Sequence, residues 1–179
     1  MKKLSVLVAM LMVVGCGKKE EAPAKTAAKP TAKAKTPPKA PAKKAAPKIV
    51  VDDGTTATIN LTGNDQMRFN TQKVTVKAGR KIKLNLKHVG KLPITAMGHN
   101  FVLLKPGTDL AAFNAKAINA KATNYIPASE ADKIIANTTL IGGGGSTSIE
   151  FDAPAKGKYT FICSYPGHYA LMKGQLIVE

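Results

Sequence analysis

The chain has 179 residues with 27 Lys plus Arg, 11 Asp plus Glu, two Cys, three His and no Trp, for a formal net charge of +16. That length suits one ordinary domain, and two cysteines allow at most one disulfide, which excludes a disulfide scaffold. The charge is uneven: residues 17–48 hold ten Lys and two Glu, whereas residues 49–179 hold 15 basic and nine acidic residues, so the prospective domain is only mildly basic.

Residues 1–15 have the layout of a bacterial secretion signal, with Lys2 and Lys3, an apolar run from Leu4 to Val14, and Gly15 before Cys16. The run is too short to span a bilayer, which needs about 20 residues. The stretch before Cys16 looks like a lipobox, which implies cleavage ahead of Cys16 and its lipidation, hence an anchor on the periplasmic side of a bacterial membrane. Gly17 rather than Asp after the cysteine resembles the sorting pattern that favours the outer membrane. The 16–48 segment continues after Cys16 and Gly17 as Lys, Ala, Pro, Thr and Glu with no aromatic and no large aliphatic side chain. Such a segment has nothing to bury and is expected to be a disordered tether reaching at most roughly 100 Å. Without Arg or aromatic residues to stack bases, and on an exported chain, it is not expected to bind nucleic acid. Its lysines suit contact with anionic lipid head groups.

From residue 49 onward the pattern is one of short strands. Alternation over Thr56 to Leu61, Lys73 to Lys77 and Ile82 to Lys87 predicts strands with one buried face. Further strands are expected at Asn100 to Leu104, Thr138 to Ile141, Thr147 to Phe151, Lys158 to Ser164 and Gln175 to Val178, with Gly and Pro between them. Roughly eight strands predict an all-β, Greek-key β-sandwich over residues 49–179. One segment departs: Asp109 to Ala122 places Leu110, Phe113, Ala117 and Ile118 at helical spacing, which predicts a helical insertion packed outside the sheets.

The chemistry concentrates near the C-terminus, where Cys163, His168 and Met172 follow Cys-x₄-His-x₃-Met spacing around a Pro166-Gly167 turn. A third donor must come from elsewhere, and His99 in Met97-Gly98-His99-Asn100 lies where a strand begins. A thiolate suits Cu(I) and imidazoles suit Cu(II), so two His, one Cys and a weak Met form a compromise site for copper in both oxidation states. Structural zinc usually has several Cys or carboxylate ligands, which this set lacks. Singly, a strand cysteine is usually core and a turn histidine usually surface; the joint spacing is what carries the metal reading. His88 ends an alternating strand and reads as a packed, non-ligating histidine.

At these residues the domain resembles the azurins, the bacterial blue copper proteins. The shared stretches are Gly63 to Asn70, Gly90-Lys91-Leu92-Pro93, Met97 to Asn100, Leu140-Ile141-Gly142 and Cys163 to Gly174. With the lipobox and linker, the whole chain is similar to the lipid-modified azurins. The resemblance implies a cupredoxin fold and one type 1 copper, with His99, Cys163 and His168 as equatorial ligands, Met172 as the long axial ligand and the Gly98 carbonyl opposite. It also implies that the N–H groups of Asn100 and Tyr165 point at the Cys163 sulfur, and that Asn100 and Ser164 tie the ligand loops together. Met67, Leu92, Met97, Pro166, Gly167, Ala170 and Leu171 would form an apolar partner patch around His168.

Three departures from the family stand out. Gly79, and Ala57 or Thr58, stand where the azurins carry a disulfide, whose loss is worth up to a few kcal/mol. Phe101 replaces a buried Trp, and Tyr165 replaces a Phe. The function expected from the resemblance is that of a monomeric one-electron carrier, not an enzyme, exchanging with c-type cytochromes, nitrite reductases or amine dehydrogenases. Copper storage or delivery, and a surface stress-protection module, are the alternatives. A copper nitrite reductase would need a second site with more histidines, and three His leave only His88 spare.

Overall fold

The structure, a computed structural model, describes residues 48–179. The expected signal peptide, the lipidation site Cys16 and nearly all of the linker lie outside the described residues. In chain order the strands are β1 (Val50–Asp52), β2 (Thr56–Asn64), β3 (Arg68–Phe69), β4 (Lys73–Val76), β5 (Lys81–His88), β6 (Val102–Leu104), β7 (Ile134–Asn137), β8 (Ser146–Asp152), β9 (Gly157–Ile162) and β10 (Lys173–Val178). Helices α1 (Ile94–Met97) and α2 (Leu110–Ala117) interrupt them, with short 3₁₀ turns at Lys121–Thr123 and Ala128–Lys133.

Two five-stranded sheets form the sandwich. One runs β1-β2-β5-β8 with β3 beside β2, and the other runs β4-β10-β9-β6-β7. Alternation sets their faces: in β2 every second residue from Ala57 to Gly63 is buried, and in β5 Ile82, Leu84, Leu86 and His88 point inward while Lys81, Lys83 and Lys87 point out. The inward set meets Val74, Phe161, Leu176 and Val178 from the other sheet in one apolar core. Each fully buried Leu, Ile or Phe contributes about 1.5–3 kcal/mol relative to remaining exposed.

The helical insertion is where it was expected, and shorter. Asp109 caps α2 by accepting the N–H groups of Ala111 and Ala112, and the helix stops at Ala117. Phe113 and Ala117 pack with Val102, Leu104 and Ile162 in a second cluster, so β6 and β9 are buried on both faces. Ile118, placed on that face by the spacing, is the residue that caps the helix C-terminus and is exposed. The strand expected at Thr138 to Ile141 is displaced to β7. Residues 138–141 leave the sheet, Thr138 binding the backbone of Phe101 and Ile141 forming an isolated bridge to His99.

The segment joining α2 to β7 is pinned by Glu130, whose buried carboxylate is paired with Lys116 and Lys133. These lysine hydrogen bonds hold its carboxyl below the ordinary 4.5. A carboxyl with a depressed folded pKa stabilises the fold above its unfolded pKa and loses that contribution as pH falls through the folded value. Denaturant midpoints are therefore expected to fall between pH 5 and pH 3 by more in the native chain than in Glu130→Gln, which lacks the titrating group.

Candidate metal centre

His99, Cys163 and His168 come together at one end of the sandwich, all buried, with their donor atoms within 4.8 Å of one another. Cys163 follows β9 and His168 lies in the turn leading into β10, so the antiparallel pairing of these strands folds the loop back on itself. The Met172 carbonyl accepts the Cys163 N–H at 2.9 Å and closes the loop. His99 arrives from the other side, behind α1, its backbone bridged to Ile141 by reciprocal 2.9 Å bonds. Cys163 Sγ lies 3.6 Å from His168 Nδ1, 4.0 Å from His99 Nδ1 and 3.8 Å from the Gly98 carbonyl oxygen.

Each imidazole is set by what its remaining atoms touch. His99 Nε2 donates to the Asn64 carbonyl at 2.9 Å, which leaves Nδ1 as an acceptor facing the sulfur. His88 stacks on His99 at 4.2 Å between ring centroids. Its own Nδ1 accepts the Gly90 N–H and its Nε2 lies 3.0 Å from the Met97 carbonyl, so both nitrogens are engaged by the backbone. His88 is packed, as expected, and it acts as a wall behind His99. Burial lowers the pKa of His99 and takes His168 down to about 4, so both rings are neutral near pH 7. Burial also pushes the Cys163 thiol up to about 12, opposed by the N–H groups of Asn100 and Tyr165 donating to its sulfur.

Asn100 and Ser164 tie the loops as expected: Asn100 Nδ2 donates to Ser164 Oγ and its Oδ1 accepts the Ser164 N–H, each at 2.9 Å. A third segment, not foreseen, joins them. Asn100 also donates to the Asn124 carbonyl and Ser164 Oγ to the Tyr125 carbonyl. Asn124 and Tyr125 both have left-handed backbones, φ 57° and 62°, an arrangement uncommon outside glycine that these buried bonds hold. No periodicity marks such a turn in the sequence.

Met172 is wholly buried, and its position beside the site is read from Gly63. A Cβ at Gly63 would lie 2.7 Å from both Met172 Cε and His99 Cδ2, so only glycine lets these two side chains reach the centre over β2. Gly63→Ala is expected to shift Met172, because His99 is held by Asn64 and His88. Overpacking of this kind costs about 1–3 kcal/mol, to be checked by denaturant melts and by a changed visible spectrum of the copper-loaded protein.

Of the expected patch, Leu92, Gly167, Ala170 and Leu171 are exposed, and Met67, Met97 and Pro166 are half-buried. Ile94 on α1 is exposed as well and was not anticipated. Tyr165, half-buried at its rim, donates its hydroxyl to the Thr95 carbonyl at 2.6 Å. This bond ties the cysteine loop to α1. The ring of Tyr165 also lies where a side chain on Gly98 would have to go, so Gly98 too must be glycine.

Comparison with known proteins agrees with this geometry. The sequence profile of the copper binding proteins of the plastocyanin/azurin family matches residues 55–179. The chain belongs to that family. It is 42% identical over 123 residues to an azurin of Alcaligenes faecalis, covering 66% of this chain and 94% of that one. It is 41% identical over 117 residues to outer membrane protein H.8 of Neisseria meningitidis serogroup B, covering 63% of this chain and 62% of that protein. Dithionite-reduced auracyanin from Roseiflexus castenholzii superposes with a TM-score of 0.62 at 37% identity, covering 70% of this chain and 99% of the other.

The donor set fits the single type 1 copper ion of this family: one sulfur, two neutral imidazoles with Nδ1 free to accept, and a nearby thioether, enclosed away from water. A bound cation would favour the thiolate that burial otherwise disfavours. Among the described residues Cys163 is the only cysteine, and Gly79 occupies a turn at φ 76° with open space around it. Phe101, in place of the family Trp, is buried against Phe161 with ring centroids 5.4 Å apart.

Proposed function

We propose that the protein is a one-electron carrier on the periplasmic side of a bacterial membrane, tethered through lipid on Cys16 and the 16–48 linker, and a carrier rather than an enzyme. His99, Cys163 and His168 would be the equatorial copper ligands, with Met172 and the Gly98 carbonyl as weak axial groups. Copper bound there supplies one-electron Cu(I)/Cu(II) exchange. The observation that carries this reading is that backbone and stacking contacts hold both histidines in place, so the ligand cage has little to rearrange as charge changes. The N–H groups aimed at the Cys163 sulfur stabilise its electron-rich form and so favour the reduced site.

Electron exchange would run through His168, which is 3% exposed where His99 and Cys163 are 0%. The exposed apolar residues about it suit brief docking of a redox protein such as a c-type cytochrome or nitrite reductase, with the chain itself a monomer. Full enclosure of the donors disfavours ready copper handover, the chief demand of a delivery protein. Adding Cu(II) to the protein should give an intense blue charge-transfer band that ascorbate bleaches reversibly. A colourless or merely pale product would overturn the reading.

A further inference from the structure

The end of the sandwich around His168 carries positive charge that the chain does not neutralise. Arg68, Lys91 and Lys121 are exposed there. Among the described residues none of the three forms an ion pair, which they share with Lys77, Lys156 and Lys158; what sets them apart is their place around the site. Their location follows from the site. Arg68 pairs in register with Asn64, whose carbonyl holds His99. Lys91 gives its backbone N–H to Asp65 and precedes the exposed Leu92. Lys121 lines a shallow recess with Ile94, Thr95, Tyr125 and Leu140. One carboxylate, Asp65, sits among them, and it is turned to the backbone N–H groups of Lys91 and Leu92.

From this arrangement we infer that the partner docking at His168 is an acidic redox protein, with carboxylates ringing its own electron-exchange site. The inference rests on the carrier reading above and names the partner class for that site. Leu92, Ile94 and Leu171, each about two-fifths exposed, supply the water-excluding contact. The cations around them steer and orient an oppositely charged face and repel a basic one, including a second copy of this chain. An anionic bilayer would also match cations around an apolar centre. The position of His168, a proposed ligand, beneath the contact favours an occupant that exchanges electrons.

The test uses the full-length chain and two variants with equal charge change. One is Arg68→Glu, Lys91→Glu, Lys121→Glu; the control is Lys77→Glu, Lys156→Glu, Lys158→Glu, exposed positions at the other end of β4 and β9. Oxidation of the reduced, copper-loaded protein is followed with anionic hexacyanoferrate(III) and cationic tris(bipyridine)cobalt(III). The first variant is expected to slow the anionic reagent by about tenfold or more and to accelerate the cationic one, with the control changing each far less. Equal effects in both variants would overturn the inference.

A readout independent of electron transfer is the NMR line broadening caused by inert, paramagnetic hexacyanochromate(III). Broadening of the amides of residues 68, 91, 92, 94, 95 and 121 is expected in the native chain, and its absence there would also overturn the inference. If neither reagent oxidises the protein, the carrier reading fails while this map still decides the surface charge. A drop in affinity for phosphatidylglycerol vesicles in the first variant and not in the control, beyond the binding that Cys16 and the linker give both, with reagent rates unchanged, would assign the patch to lipid instead.

Discussion

Replacing Cys163 with serine is expected to abolish the blue band completely while leaving the fold in place. A hydroxyl offers copper neither the polarisable sulfur responsible for charge transfer nor a donor that suits the reduced ion. Copper affinity should fall by more than the roughly 10–100-fold that accompanies loss of a residue behind a ligand. The fold should survive, because the hydroxyl occupies slightly less volume and the N–H groups of Asn100 and Tyr165 remain to donate to it. Circular dichroism and a denaturant midpoint of the metal-free variant check the second half, with a change within about 1–2 kcal/mol expected. Retained blue colour would remove Cys163 from the site and with it the assignment of the centre.

The largest stability effect is expected at Asn100. Asn100→Ala removes three hydrogen bonds, leaving the buried Ser164 N–H and the Asn124 carbonyl without their partners. Each such group costs about 1–3 kcal/mol, so a loss of about 2–4 kcal/mol is expected in denaturant melts of the metal-free protein. Of the left-handed pair, Asn124 loses its side-chain tie by the same change, while Tyr125 keeps the bond from Ser164 Oγ. Ser164→Ala removes the bond to the Tyr125 carbonyl and should cost less. Because the two residues share one network, the double variant should lose less than the two single losses added together. Strict additivity would mean that Asn100 and Ser164 act separately, against the geometry.

Much of this molecule was legible in its residues because the signals are local. Strands β2 and β5 alternate with burial nearly residue by residue, and α2 sits within its Ala-rich segment. The Cys163-His168-Met172 spacing folds into one loop because a single strand pair brackets it. The unread parts depend on contacts distant in the chain. Residues 138–141 look like a strand by composition, yet Phe101 and His99 draw them off the sheet. Gly63 resembles any strand glycine until His99 and Met172 are seen against it, and α1 is too short to show a period. The missing family disulfide was visible by resemblance, but not that Gly79 meets its turn with a left-handed backbone.

That turn has a consequence for how the domain is made. With glycine at position 79 and one cysteine in residues 49–179, no covalent bond between distant residues has to form before the domain reaches its native state. Folding of the domain therefore needs no oxidant, and a reducing cytoplasm serves as well as an oxidising compartment. An unfolded domain carries a single thiol, so it has no wrong pairing of its own to unscramble. Heating and cooling should return the same protein, without a disulfide isomerase.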